Sequence, residues 1–145
     1  MANPTMVRAA REAFLADTHV GVLAVAEPGR GPCAVPVWYR YAPGDVVRIT
    51  VPGGSRKVGL LRTAGRASLC AQRETLPYQY VSVEGPTEVL AAPVEEDQIE
   101  MAKRYLGDAF GERYLKATAA DRRNELLVLL RPERWWSVDF SQLKL

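Results

Sequence analysis

The chain has 145 residues and a formal net charge of +2, with 48% apolar and 25% charged residues. That length suits one domain with a core large enough to stand without disulfide or metal staples, and that composition excludes a disordered, collagen-like or coiled-coil chain. The small net charge makes no electrostatic case for nucleic acid, and the longest purely apolar run, Leu126–Leu130, falls far short of the ~20 residues of a membrane helix.

The N-terminus carries Arg8, Arg11 and Glu12 and no apolar stretch of the kind a secretory signal has, so a cytoplasmic protein is expected. Cys33 and Cys70 lack metal-ligand spacing and read as reduced, buried thiols. His19 is the single histidine, which excludes a multi-histidine metal centre and leaves a Ser-His-Asp triad only that one residue to rest on.

In chain order, Thr5–Asp17 predicts an amphipathic helix: Met6, Ala10, Ala13 and Phe14 share a face, and Thr5 is placed to cap it. His19–Ala26 predicts a strand, Glu27–Gly31 a turn and Cys33–Tyr41 a second strand. After a turn at Ala42–Asp45, Val46–Val51 alternates as a half-buried strand does and stops at Pro52-Gly53-Gly54. Ser55–Thr63 predicts a short helix with Ser55 as N-cap and Gly65 just beyond its end. Arg66–Gln72 and Tyr78–Leu90 predict two more strands, and Gly85-Pro86 inside the second points to a bulge or an edge position. Pro93–Leu106 predicts a helix whose opening Glu95, Glu96 and Asp97 read as solvated acids at its positive end. A further helix is expected over Asp108–Thr118. Glu125–Arg131 predicts a strand covered on both faces, with Arg134-Trp135-Trp136 following near the C-terminus. Six strands in short hairpins with few helices predict a closed or nearly closed antiparallel barrel, mainly β with flanking helices and one domain throughout.

The stretch with most chemical content is Pro52-Gly53-Gly54-Ser55-Arg56-Lys57. A strand ends in a glycine turn and a helix begins, which exposes unpaired N–H groups and a partial positive charge. Arg56 and Lys57 fall in the first helical turn, where the helix dipole disfavours cations. This is either a solvated, mildly unfavourable turn or a site shared with an anion, for which phosphate is the natural guest. The Gly-x4-Gly-Lys-Ser/Thr spacing of a phosphate-binding P-loop is missing. A second cluster is aromatic: Trp38, Tyr39, Tyr41, Tyr78, Tyr80, Trp135 and Trp136. These residues either fill the core or line a flat ring system. Trp135 and Trp136 cannot both point inward from an extended chain, so one must face a helix, a ligand or a partner subunit.

In order along the chain come a helix, Val-Gly-Val-Leu-Ala, Ala34-Val-Pro-Val-Trp-Tyr39, Lys57 to Arg66, and Tyr78-Gln-Tyr-Val-Ser-Val-Glu-Gly85. This series resembles the pyridoxamine 5′-phosphate oxidase-like split barrels, a family of flavin and deazaflavin (coenzyme F420) oxidoreductases, over roughly residues 5–140. The resemblance implies a six-stranded split β-barrel and a homodimer with cofactor sites at its interface. It implies coenzyme F420 as first choice of cofactor, or FMN, with hydride passing between the cofactor and a small conjugated substrate. It places Lys57 on the cofactor phosphate with Arg56 and Ser55 beside it; many members have an arginine where this chain has Ser55. It sets Val35, Pro36, Val37 and Trp38 along the ring system and brings Thr50, Tyr78 and Trp136 to the cofactor. Val35, Val37, Trp38 and Tyr78 would then line an apolar cavity, with the completing proton coming from water or from Tyr78, the candidate catalytic residue. The alternatives are a non-catalytic carrier of a flavin, a deazaflavin or another flat ligand, and, more weakly, an aromatic-lined barrel for single-stranded nucleic acid.

Overall fold

The computed structural model describes residues 3–91 and 94–143. Helix α1 (Arg8–Ala16) leads into strands β1 (Gly21–Val25), β2 (Cys33–Val37) and β3 (Val47–Pro52). Helix α2 (Arg56–Ala64) is followed by β4 (Arg66–Arg73) and the long β5 (Gln79–Leu90). Helices α3 (Glu95–Leu106) and α4 (Asp108–Ala117) precede β6 (Glu125–Leu130) and β7 (Arg134–Asp139). Neighbouring strands run antiparallel in the order β2-β1-β4-β5-β6-β3, with β7 also on β5. This mainly β sheet, curled into a split barrel with flanking helices, is the predicted fold class.

The described residues contain seven strands, one more than the sequence suggests. β7 carries Arg134-Trp135-Trp136 and pairs with the first half of β5, Gln79–Glu84. The second half of β5, Thr87–Leu90, pairs with β6. Gly85-Pro86 is therefore not at an edge: it pairs with β4 on one side, and the partner on the other side changes there. It is the corner at which one strand exchanges partners, and only glycine fits there, because a Cβ on Gly85 would meet the Arg131 carbonyl oxygen at 1.7 Å. In β6 the adjacent Leu127 and Val128 are both buried, as expected of a strand covered on both faces.

The core is built by alternation. Leu23, Val25, Ile49, Val51, Leu69, Val81 and Val83 point inward, and Val58 and Leu61 of α2 plug the barrel from within. Three local expectations need correcting. Thr5 does not cap α1, which starts three residues later behind Val7 and has no side-chain cap. Cys33 and Cys70 are free thiols but only half-buried, and burial pushes the Cys70 thiol up. Asp97 is not solvated: it is 2% exposed and lies between two arginines. The expected helix start at Pro93 lies outside the described residues.

Candidate functional site

β2 and β3 stand at the two ends of the strand order, and they follow one another in the chain. They pair at one point only, the isolated bridge between Arg40 and Arg48. In the register set by that bridge, Trp38 would face Thr50 and Pro36 would face Pro52. Proline has no N–H to give to a ladder, so the hairpin opens from its base toward these residues. β2 ends at Val37, earlier than the sequence suggests, and Trp38 lies just past its end.

Helix α3 fills the opening. Its Asp97 carboxylate takes Arg40 Nε at 2.8 Å, Arg48 Nε at 2.7 Å and a second Arg48 N–H at 3.1 Å. Burial would raise this carboxyl, but the Arg48 and Arg40 hydrogen bonds outweigh it and hold the group below its ordinary value of 3.8. Two turns further on, the Tyr105 hydroxyl accepts the Tyr39 N–H at 3.0 Å and reaches the His19 carbonyl at 2.6 Å. It thereby satisfies backbone left without a strand partner. The Tyr105 ring stacks on Trp38 at 5.0 Å and 5°, with Tyr114 of α4 tilted against the same indole at 5.5 Å.

The result is a cleft of about 230 Å³ lined by Pro36, Val37, Trp38, Thr50, Val51, Pro52, Lys57, Gln98, Met101, Tyr114, Arg122 and Glu125. At one end lies the N-terminus of α2, where Ser55 occupies the N-cap position without making a cap hydrogen bond. The Ser55 hydroxyl oxygen is buried and has no partner. Lys57 enters no ion pair among the described residues. A free ammonium on the first turn of a helix, together with that helix's unpaired N–H groups, makes a site for an anionic group. At the other end a polar network closes the cleft. The Arg122 guanidinium donates to the Gln98 side-chain oxygen at 2.8 Å, and the Gln98 amide donates to Glu125 at 2.8 Å.

Of the residues singled out from the sequence, Pro36, Val37, Trp38, Thr50 and Lys57 thus meet on one cleft, with Ser55 beside them. Val35 packs against the core beneath the cleft wall. Arg56 does not converge with Lys57; it pairs with Glu27 of the β1–β2 turn, so its charge is already matched. The cleft is also not the apolar cavity expected, since Lys57, Gln98, Arg122 and Glu125 line it. Tyr78 and Trp136 do not line it either; they are 50% and 53% exposed. Trp136 ends a row of side chains, Pro36, Val22, Cys70, Ser82 and Trp136, that crosses the outer face of the sheet in register. Trp135 points the other way and packs on the core.

Sequence reasoning missed Gln98, Met101, Tyr114, Arg122 and Glu125. For α3 a signal existed: Asp97, Met101 and Tyr105 recur every four residues and so share one helical face. For Tyr114, Arg122 and Glu125 there was none, because only the docking of α4 and the 3-10 turn Asp121–Asn124 brings them in.

Known proteins place this architecture. A conserved hypothetical protein from Mycobacterium tuberculosis superposes with a TM-score of 0.78 at 24% identity, covering 100% of this chain and 92% of that one. An F420 reductase gives 0.71 at 22% identity, covering 86% and 94%. An FAD and heme binding protein from Mycobacterium smegmatis gives 0.70 at 16% identity, covering 94% and 73%. At these identities the likeness is one of fold. No curated protein matches the chain in sequence. The family model for pyridoxamine 5′-phosphate oxidase matches residues 7–139, nearly the whole molecule, and the chain belongs to that family.

Proposed function

We propose that this chain is an oxidoreductase that holds coenzyme F420, or FMN in its place, in the β2–β3 cleft and passes hydride between it and a small conjugated substrate. One observation carries the reading: Lys57 from the first turn of α2, the opened end of β2 and the facing end of β3 line a single cleft. The donor set fits a phosphate at one end, and the Pro36-Val37-Trp38 wall suits a flat ring. The ring system supplies the hydride chemistry, which leaves the protein to bind, orient and exclude water. The cleft has the composition such a division of labour needs. Its one carboxylate, Glu125, is engaged by Gln98, and no nucleophile stands against a base. Tyr105 is a positioning residue that fixes the Trp38 ring by stacking and the neighbouring backbone by its hydroxyl.

Tyr78 and Trp136 enter this reading through a second copy of the chain. The outer row from Pro36 to Trp136 carries small and apolar side chains, begins at the cleft itself and leaves Val22 41% and Trp136 53% exposed. A two-fold dimer through that face would bury it and bring the partner's aromatic residues toward the cleft. The free thiols suit a reducing, cytoplasmic setting, and no described helix is long and apolar enough to cross a membrane.

The test is a fluorescence titration of the purified chain with F420, FMN and FAD, followed by rapid mixing of the reduced complex with enones and quinones. Faster oxidation than in protein-free solution supports the oxidoreductase. Tight binding with no acceleration by any acceptor replaces it with the carrier. Sedimentation as a stable monomer at micromolar concentration removes the dimer.

A further inference from the structure

A second basic cleft lies at the opposite end of β3, roughly 15 Å from the first by strand rise. Its volume is about 330 Å³, and its walls carry Arg8, Arg11 and Arg131 together with the carboxylates Glu12 and Asp45, beside Tyr41 and Trp135. That volume is at the lower end of the ~300–1,000 Å³ typical of small-ligand sites and exceeds the needs of a bare ion.

Three arginines against two carboxylates leave this cleft one positive charge in excess. Arg40 and Arg48, in the neighbouring groove, are held by Asp97. Arg8 has Glu12 at 3.8 Å. Asp45 accepts the Val46 N–H at 2.7 Å. Arg11 and Arg131 enter no ion pair among the described residues. The Arg11 guanidinium lies over the Trp135 ring, 4.7 Å from its centre, and this stacking fixes its plane. The Arg11 Nε is buried without any partner. The Nε is sealed from the cleft, so the terminal N–H groups of the guanidinium are the ones a ligand would meet, held in a fixed plane by the stacking. Helix α1 begins at Arg8 with no side-chain cap, so its positive end adds to the same field.

We infer that this cleft binds a small organic anion through a carboxylate or phosphate group, with Arg11 and Arg131 as the receiving cations. The inference does not depend on the cofactor reading, because the two clefts share no residue. It is tested by NMR titration of the full chain with inorganic phosphate and with succinate, following the Arg11 Nε–H and Trp135 indole N–H signals. Saturable shifts are expected in the millimolar range or below. Arg131 is exposed, so Arg131→Gln should fold normally; it should weaken binding roughly 5- to 20-fold, while Lys57→Gln leaves it unchanged. Arg11→Gln, with folding checked by thermal melt, should abolish the shifts. Preference for phosphate over succinate assigns a phosphate-bearing ligand, and the reverse a carboxylate. The inference is overturned by the absence of saturable shifts with either anion, by equal affinity in wild type and Arg131→Gln, or by a loss that follows Lys57→Gln.

Discussion

The two ends of the β2–β3 hairpin face the same problem, unpaired edge strands, and solve it in opposite ways. At the base the chain closes itself. Arg40 and Arg48 exchange backbone hydrogen bonds at 3.0 and 2.9 Å, and both side chains reach one buried carboxylate. At the mouth the ladder does not form, prolines remove donors on each strand, and helix side chains replace some of the missing bonds. Closed edges give stability, and opened edges give a surface with unsatisfied groups that a ligand can use. Stability and binding should therefore be separable by mutation along a few residues of one hairpin.

The largest effect is expected at the base. Asp97→Ala leaves two partly buried guanidinium groups without an acceptor. Losing one member of a buried pair costs ~3–5 kcal/mol, and since the arginines are about a third exposed, the lower end, about 2–3 kcal/mol, is expected. Thermal melting should fall by roughly 5–10 °C. The pH dependence follows from the depressed carboxyl. A group held lower in the folded state than in the unfolded one contributes stability that is present above its ordinary value of 3.8 and is lost as pH falls through the folded value. The melting difference between wild type and Asp97→Asn should be full at pH 6 and shrink steadily below pH 4. A difference constant down to pH 2.5 would show that the carboxylate charge is not what holds the hairpin.

At the mouth the order of effects reverses. Lys57→Ala should leave the melting temperature within about 1 °C, as a surface change does. It should weaken cofactor binding by roughly 10–150-fold, the value of one charge-assisted hydrogen bond of ~1.5–3 kcal/mol. Titration of the variant decides this: affinity within twofold of wild type removes Lys57 from the phosphate site.

Tyr105→Phe lies between the two ends. The ring stays, so stacking on Trp38 survives, but the Tyr39 N–H and the His19 carbonyl lose their partner. A cost of about 1–2 kcal/mol in stability is expected, measured by denaturant unfolding. A merely structural role would stop there. If the hydroxyl also fixes the wall on which the ring lies, the indole signal of Trp38 should broaden in NMR spectra of the variant, while that of Trp136, across the sheet, stays sharp.

The contrast also explains what could be read from the sequence and what could not. Strand and helix identities follow from local pattern, and so does the strand–Gly-Gly–Ser-Arg-Lys turn that builds one end of the cleft. The alternation rule separates Trp135 from Trp136 correctly. Asp97 was misjudged because three acids opening a helix have the same local pattern whether they are solvated or docked. Only the packing of α3 across the hairpin, a long-range event, distinguishes the third from the first two. The Arg56 pairing is illegible for a similar reason, since Glu27 sits on a turn 29 residues away. The seventh strand was missed because Arg-Trp-Trp-Ser-Val-Asp has no clear period of its own and depends on β5 to order it.

The smallest effect gives the sharpest test of the contrast. Ser55 occupies an N-cap position, where replacing serine by alanine normally costs ~0.5–2 kcal/mol because the hydroxyl satisfies a helix N–H. Here the hydroxyl is buried and makes no hydrogen bond. Removing it deletes a desolvated group with nothing to lose, so the free protein should be unchanged or stabilised by up to about 0.5 kcal/mol. With a phosphate bound the same hydroxyl acquires an acceptor, and its loss should weaken the complex by roughly three- to tenfold, the value of an ordinary hydrogen bond of ~0.5–1.5 kcal/mol. One substitution should therefore move stability and affinity in opposite directions. Two measurements on Ser55→Ala decide it, a denaturant midpoint without ligand and a cofactor titration. A loss of 1 kcal/mol or more in the free protein would make Ser55 an ordinary cap. The mouth of the hairpin would then be a closed structural end like its base, and the unpartnered hydroxyl would no longer argue for an anion at α2.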